Sequence, residues 1–282
     1  MNHKKTRHEH YVPKAHIRRF SKFEKVYVMR YSGESFQTQV TKSRFEIGGM
    51  TNFYDADDPY DDKAVEEKLK QMERTLHPLI DKVIETKNDE SGGYATSLYV
   101  SMLYNRSVFK RETCRQFAST DKDVKKMHEL LIAFGIYFLA LEEIDNFKCG
   151  VLSTNTEKFI TSDNPVAYVN SWEFFKESIN YEENTIPDEN KRSEDVFMCP
   201  LSPSVCAVLY RKDSKYSKQL LENGSYYTVE NINRLVADQA IEWVFSEDPL
   251  DEKLKEIFMN STNPHMMDLR KFVDHERRIS KQ

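Results

Sequence analysis

Three imidazoles, one carboxylate and two guanidiniums fall within the thirteen residues His8-Glu9-His10-Tyr11-Val12-Pro13-Lys14-Ala15-His16-Ile17-Arg18-Arg19-Phe20. Histidine is the side chain whose ordinary pKa lies nearest neutrality, so it can act as a general base or bind a metal as neutral imidazole. A guanidinium offers two parallel donors to a phosphate, which an ammonium cannot reproduce. A second polar run, Ser162-Asp163-Asn164-Pro165, sets a carboxylate and an amide in a turn at the end of an apolar segment. Together these types point to hydrolysis of a phosphate ester. His10 is the candidate general base or ligand, Asp163 a ligand or orienting acid, and Asn164 its neighbour in the catalytic set. Arg18, Arg19, Tyr11 and Arg106 are the candidate substrate contacts. A divalent metal ion would draw on His10, Asp163, Glu66 and Glu73.

Each candidate has a plainer structural reading. His10 can cap a helix or pair with a carbonyl. Asp163 and Asn164 can fold back on their own backbone as Asx-turns. Glu66 and Glu73 lie seven residues apart on one helix stripe, about 10 Å along the axis. Lys70 sits one turn after Glu66, so a solvated ion-pair face competes with a metal site. Arg106 and Arg111 can cover a helix instead of clamping phosphate. His8 and His16 read as surface residues.

The elements that must position these groups follow from periodicity. The residue before a proline is pushed out of the helical region, and proline suits a helix start. His10 is therefore expected just ahead of a short helix that begins near Pro13, with Ile17 and Phe20 facing the core and Arg18 reaching back toward His10. Residues 26–31 and 35–40 predict a β-hairpin, and 51–54 a short third strand. Val65, Leu69, Met72, Leu76, Leu79, Ile80 and Val83 form one apolar stripe, which predicts a helix over 61–87. Further helices are expected over 94–116 and 121–147, the latter apolar nearly all round near Phe134–Leu141. Strands are expected at 158–161, 166–169, 196–199 and 205–210, an acidic insertion at 172–195, and a turn at Asn223-Gly224. Thr228 is the expected N-cap of a helix through Val244. The result is an α+β fold, a helical body packed on a small, mostly antiparallel sheet drawn from both ends of the chain. It is expected as one domain over 1–282, comprising an N-terminal motif and hairpin (1–60), a helical body (61–148) and a sheet-forming, C-terminal helical part (149–282).

Bulk composition narrows the classes. The 282 residues carry a formal net charge of −5, yet residues 1–30 hold nine Lys or Arg against Glu9 and Glu24. Such an end suits nucleic acid or a phosphate-bearing small molecule as partner. Cys114, Cys149, Cys199 and Cys206 lack metal-type spacing, which fits a reduced, cytoplasmic protein. No apolar run approaches the roughly 18 residues of a membrane span, and the N-terminus lacks a signal peptide's apolar core. No P-loop, dinucleotide fingerprint, zinc finger or nucleophile elbow is present.

His10-Tyr11-Val12-Pro13 followed by Ile17-Arg18-Arg19-Phe20 resembles the H-[YH]-V-P-x-x-x-L-R-x-F opening of the bacterial family catalogued as domain of unknown function 4238. Phe159-Ile160-Thr161-Ser162-Asp163-Asn164-Pro165 resembles that family's F-[IVL]-T-S-D-N-P segment, and Pro200-Leu201-Ser202-Pro203 its third hallmark. Order and separation match, so the resemblance spans nearly the whole chain. Ile17 stands where the family has Leu, and Asn105 stands where Gln is expected before Arg106. The resemblance implies an architecture and no particular reaction.

Two functions remain open on these residues. One is a hydrolase, a phosphodiesterase or nuclease with the His/Asp/Arg site above. The other is a non-catalytic binding or sensor module, in which the motifs at 10–13 and 162–165 are turn devices. A phage-defence or mobile-element setting suits either. The two differ in whether His10, Arg18 and Asp163 share one open pocket.

Overall fold

The computed structural model describes residues 8–31, 36–42, 47–51, 53–54, 64–91, 93–120, 122–132, 146–170, 195–214 and 228–260; of His8, residues 36–42, Met50, Thr51, Ala64, Glu66 and Asn170 it describes the backbone alone. In chain order the elements are β1 (His8–His10), α1 (Lys14–Arg19), β2 (Lys25–Tyr31), β3 (Phe36–Lys42) and β4 (Gly49–Thr51). Next come α2 (Ala64–Thr86), α3 (Tyr94–Asn105), α4 (Val108–Arg115) and α5 (122–132). They are followed by β5 (Phe147–Ser153), β6 (Thr161–Ser162), β7 (Ala167–Asn170), β8 (Asp195–Ser202) and β9 (Val205–Arg211). The described chain closes with α6 (Val229–Asp238), β10 (Trp243–Ser246) and α7 (Glu252–Met259). No helix among the described residues is long and apolar enough to cross a membrane.

The fold is α+β, with antiparallel pairing throughout the described strands. The strands divide into two four-stranded sheets, ordered β3-β2-β10-β6 and β5-β9-β8-β7, and a two-stranded ribbon of β1 and β4. The expected single sheet is thus two. The first of them does join both ends of the chain, since β10 lies between β2 and β6.

Alternation along the strands explains the layering. Successive side chains of a strand point to opposite faces. Phe197, Cys199 and Leu201 of β8, Val205, Ala207 and Leu209 of β9, and Trp243 and Phe245 of β10 join one core with Leu69, Leu76, Ile80, Tyr99 and Leu103 of α2 and α3. The intervening Val196, Met198, Cys206, Val208 and Val244 join a second core with Ile232, Val236 and Ala237 of α6 and Phe258 of α7. These strands are buried on both faces, as in a sheet covered by helices on either side. Helix α1 spans the two layers: Ile17 enters the first core and Phe20 the second.

Several expectations change. The stripe on α2 holds at Leu69, Leu76, Ile80 and Val83, but Leu79 is 44% exposed and Met72 only partly buried. The helix expected over 94–116 breaks at Arg106, and Ser107 caps α4 by accepting from the Lys110 amide. Of 121–147, 122–132 is helical and β5 begins at Phe147; residues 133–145 lie outside the described residues. Thr228 does cap α6, accepting from the Asn231 amide, but the helix stops at Asp238 and the β-prone Trp243-Val244-Phe245 forms β10. The third strand is 49–51, paired with β1 and not with the hairpin. Within 158–161 only Thr161 belongs to a strand, and Ala167–Asn170 belongs to the other sheet. The expected acidic insertion up to residue 194 and the Asn223-Gly224 turn lie outside the described residues.

Candidate functional site

The N-terminal motif is anchored by backbone and aromatic contacts. The Val12 amide donates to the Gly48 carbonyl at 3.0 Å, and Tyr11 packs on Phe53 with ring centroids 5.1 Å apart. Gly48 has φ +69°, and a Cβ there would lie 3.0 Å from Ile17 Cδ1. Buried Glu9 accepts the Tyr54 amide at 2.7 Å. Arg106, only 3% exposed, donates to the His10 carbonyl, to the Tyr54 hydroxyl at 3.2 Å, and to Glu73. Burial opposes the charge of Arg106, but Tyr54 and Glu73 outweigh it and hold the guanidinium protonated. Thus His10 enters this network through its carbonyl, and Arg106 acts as a buried tie between β1 and α2.

Helix α1 turns the rest of the motif inward. His16, expected at the surface, is fully buried. Its Nδ1 is 3.1 Å from the Tyr99 hydroxyl and its Nε2 3.0 Å from Thr161 Oγ1. Burial, then the Arg19 charge and His77, hold its pKa well below the usual imidazole value. Arg19 donates to Asp81 at 2.9 Å, to Tyr99 at 2.9 Å and to the His77 carbonyl at 3.2 Å. His77 is lowered to about 4 by burial and by Arg19, against the pull of Glu73 and Asp81. The arrangement that uses each proton once runs from Arg19 to Tyr99, from Tyr99 to His16 Nδ1, and from His16 Nε2 to Thr161. It links the first motif to the second through neutral His16. Arg18 points out to solvent; the guanidinium beside the imidazoles is that of Arg19.

The second motif is a clasp. Asp163 is fully buried, and its carboxylate accepts the amides of Ile241, Glu242 and Trp243 at 2.8, 2.7 and 3.1 Å. Burial pushes its pKa up to about 7, helped by Glu242 and opposed by those three amides. Asn164 donates to the Gln239 carbonyl at 3.1 Å, while its amide and carbonyl close a turn on the Ser162 hydroxyl. The chain leaves one sheet at β6 and enters the other at β7, and these bonds fasten that corner to β10.

His10 and Asp163, the expected catalytic pair, are therefore engaged by different partners: the first motif meets the second through His16 and Thr161. Among the described residues no three His, Cys, Asp or Glu come together in a way that could hold a metal ion. The ligand set of His10, Asp163 and Glu73 is thus not assembled, and the Glu66 side chain lies outside the described ones. Glu73 pairs with Arg106 instead. The signal for burying His16 was present: it sits four residues before Phe20, on the same helix face. Tyr99, His77 and Asp81 carry no local motif, since they meet the site only through α2 and α3.

The first and third motifs and the segment just before the second line one open groove of about 260 Å³. Arg19 and Ser21 reach it from the first, Lys158 stands just before Phe159 of the second, and Ser202 and Pro203 come from the third. The Phe159 amide donates to the Pro203 carbonyl at 2.9 Å and the Thr154 amide to the Ser204 carbonyl at 3.0 Å, so the second and third motifs build the wall jointly. Hydroxyls of Ser21, Thr154, Thr156, Ser202 and Ser204 and the Asn155 amide line it beside Glu157 and Glu247, with Ile84 and Pro203 as apolar wall. Lys158 pairs with Asp248 at 2.7 Å and with Glu247 at 3.3 Å.

A search of the curated proteins and of the solved structures finds no match. The family model described as Protein of unknown function (DUF4238) matches residues 8–249. With that span including all three motifs and every strand and helix that lines the groove, the chain belongs to the DUF4238 family.

Proposed function

We propose that the chain is a non-catalytic binding module for a small, phosphate-bearing and hydroxyl-rich ligand of the nucleotide class. One observation carries this reading. The titratable side chains of the motifs (His16, Arg19, Asp163) are engaged by partners inside the protein, while Arg19, Ser202 and Pro203 of the first and third motifs border a groove lined by hydroxyls and charges. Hydroxyls that both donate and accept suit a sugar, and the rim ammonium of Lys158 suits one phosphate. Glu157 and Glu247 on the same walls offset the cationic charge, so that the groove itself suits no more than one phosphate. A volume of about 260 Å³ lies just below the roughly 300–1,000 Å³ of drug-sized pockets, enough for one such unit.

Calorimetric titration with nucleoside monophosphates, alongside a metal-supplemented digestion of RNA and DNA, tests the proposal. Wild type is expected to bind without turnover. Lys158→Gln removes a cation and Thr156→Glu adds a charge to an exposed rim position; both are expected to weaken binding with unchanged melting temperature. Digestion by wild type that disappears in His10→Ala would overturn the proposal in favour of the hydrolase.

A further inference from the structure

The tight turn that follows α1 is built from the wrong residues for a turn. Lys22 and Lys25 exchange both backbone hydrogen bonds, at 2.8 and 3.0 Å. The two residues between them, Phe23 and Glu24, both have left-handed backbones, with φ of 52° and 62°. Two central residues at positive φ are the mark of a type I′ turn, a position for Asn-Gly. An aromatic L-residue is disfavoured there because its Cβ crowds the following carbonyl. The ring gains nothing from burial either, for Phe23 is 87% exposed. A strained, solvent-facing phenyl group thus opposes both local conformation and the hydrophobic effect, and such an outlier points to a use outside the fold.

Its surroundings indicate that use. Arg18, Lys22 and Lys25 are exposed on α1 and the turn, against the single acid Glu24 at the tip. Two residues before the ring, Ser21 lines the hydroxyl-rich groove with Arg19. An aromatic face, adjacent cations and a narrow polar groove form the combination that holds single strands: bases stack on rings, and phosphates follow the cations. A duplex does not fit, because its bases are already stacked and the groove admits one small unit. A lone ring beside Glu24 is also a poor wedge for an anionic membrane.

We propose that the Lys22–Lys25 turn is a base-stacking finger, and that the ligand is a single-stranded nucleic acid whose base lies on Phe23 and whose adjoining sugar and phosphate enter the groove. This deepens the nucleotide reading above and rests on it.

Fluorescence anisotropy with labelled single strands of about ten nucleotides, RNA and DNA, reads the finger directly. Phe23→Ala and Phe23→Asn are expected to weaken binding about tenfold, and Phe23→Trp to retain it. Phe23→Asn carries the sharper test, since Asn accepts the left-handed conformation: it should melt higher than wild type while binding worse. Lys22→Glu with Lys25→Glu should flatten the salt dependence. Wild-type affinity in Phe23→Ala and Phe23→Asn overturns the proposal. So does a wild type that ignores single strands but binds phosphatidylserine vesicles. Wild type that binds nucleoside monophosphates yet not oligonucleotides overturns the finger and leaves the groove standing. Oligonucleotide binding that is lost in Phe23→Ala but untouched by Lys158→Gln and Thr156→Glu instead retains the finger and removes the groove.

Discussion

Acid should destabilise this protein through His128 in a way that one variant can isolate. His128 is buried between Phe53, whose centroid is 5.6 Å away, and the stacked Tyr54 ring at 6.1 Å. Its Nε2 lies 2.9 Å from the Asn105 carbonyl, which only accepts, so Nε2 carries the proton of the neutral ring. Burial, then Arg111 and more weakly Arg106, lower its pKa to about 3, against the Asn105 carbonyl. In the unfolded chain the value returns to about 6.5. The unfolded state therefore binds the extra proton between these limits, and stability present above about pH 6.5 is lost as the pH falls toward 3. At about pH 5 the gap is about 1.5 units, or about 2 kcal/mol. His16 and His77, also lowered, act with the same sign. Asp163, raised to about 7, acts with the opposite sign between about 4 and 7. His128→Gln leaves those three in place, so the comparison is of slopes. Urea unfolding at about pH 7.5 and about pH 5 should show wild type losing about 2 kcal/mol more than the variant. Parallel profiles would refute the reasoning, because His128 would then titrate alike in both states.

Three further outcomes follow from the contacts. Asp163→Ala strands the amides of Ile241, Glu242 and Trp243 and should cost about 3–5 kcal/mol in chemical denaturation; a loss below about 1 kcal/mol would reject the clasp. Gly48→Ala combines a left-handed backbone with a Cβ 3.0 Å from Ile17, so at least about 1–2 kcal/mol should be lost, and an unchanged melting temperature counts against this account. Glu73→Gln leaves the buried Arg106 guanidinium without its carboxylate, at about 3–5 kcal/mol, whereas replacing both residues by Met should recover most of that; a double variant as weak as the single one would contradict it.

What was legible in the sequence was whatever depends on short spacing. The α2 stripe, the β2–β3 hairpin, the Thr228 cap and the family motifs are all local patterns. Trp243-Val244-Phe245 was absorbed into a helix because its β-propensity is brief and follows a strong helical run; only pairing with Arg30-Met29-Val28 makes it a strand. Asp163 read equally well as a base or a turn device, since its three amides lie some eighty positions away. The choice between Arg18 and Arg19 turned on which helix face meets Asp81 and His77 of α2, and α1 alone does not encode that. The groove needed three segments to be placed at once.

The position of β10 also has a consequence for the order in which the molecule is made. Val28 and Met29 pair with Phe245 and Val244, and those same two residues pair with Thr161 and Ser162 on the other side. Until the ribosome has released the segment near residue 246, the β2 edge of the hairpin is open and β6 has no described partner strand. The Asp163 carboxylate waits for the same segment. Nascent chains of this protein thus keep the inner edge of β2 unpaired for most of their synthesis, the hazard that an open strand edge carries. The first sheet is therefore completed only by insertion of a strand into its middle.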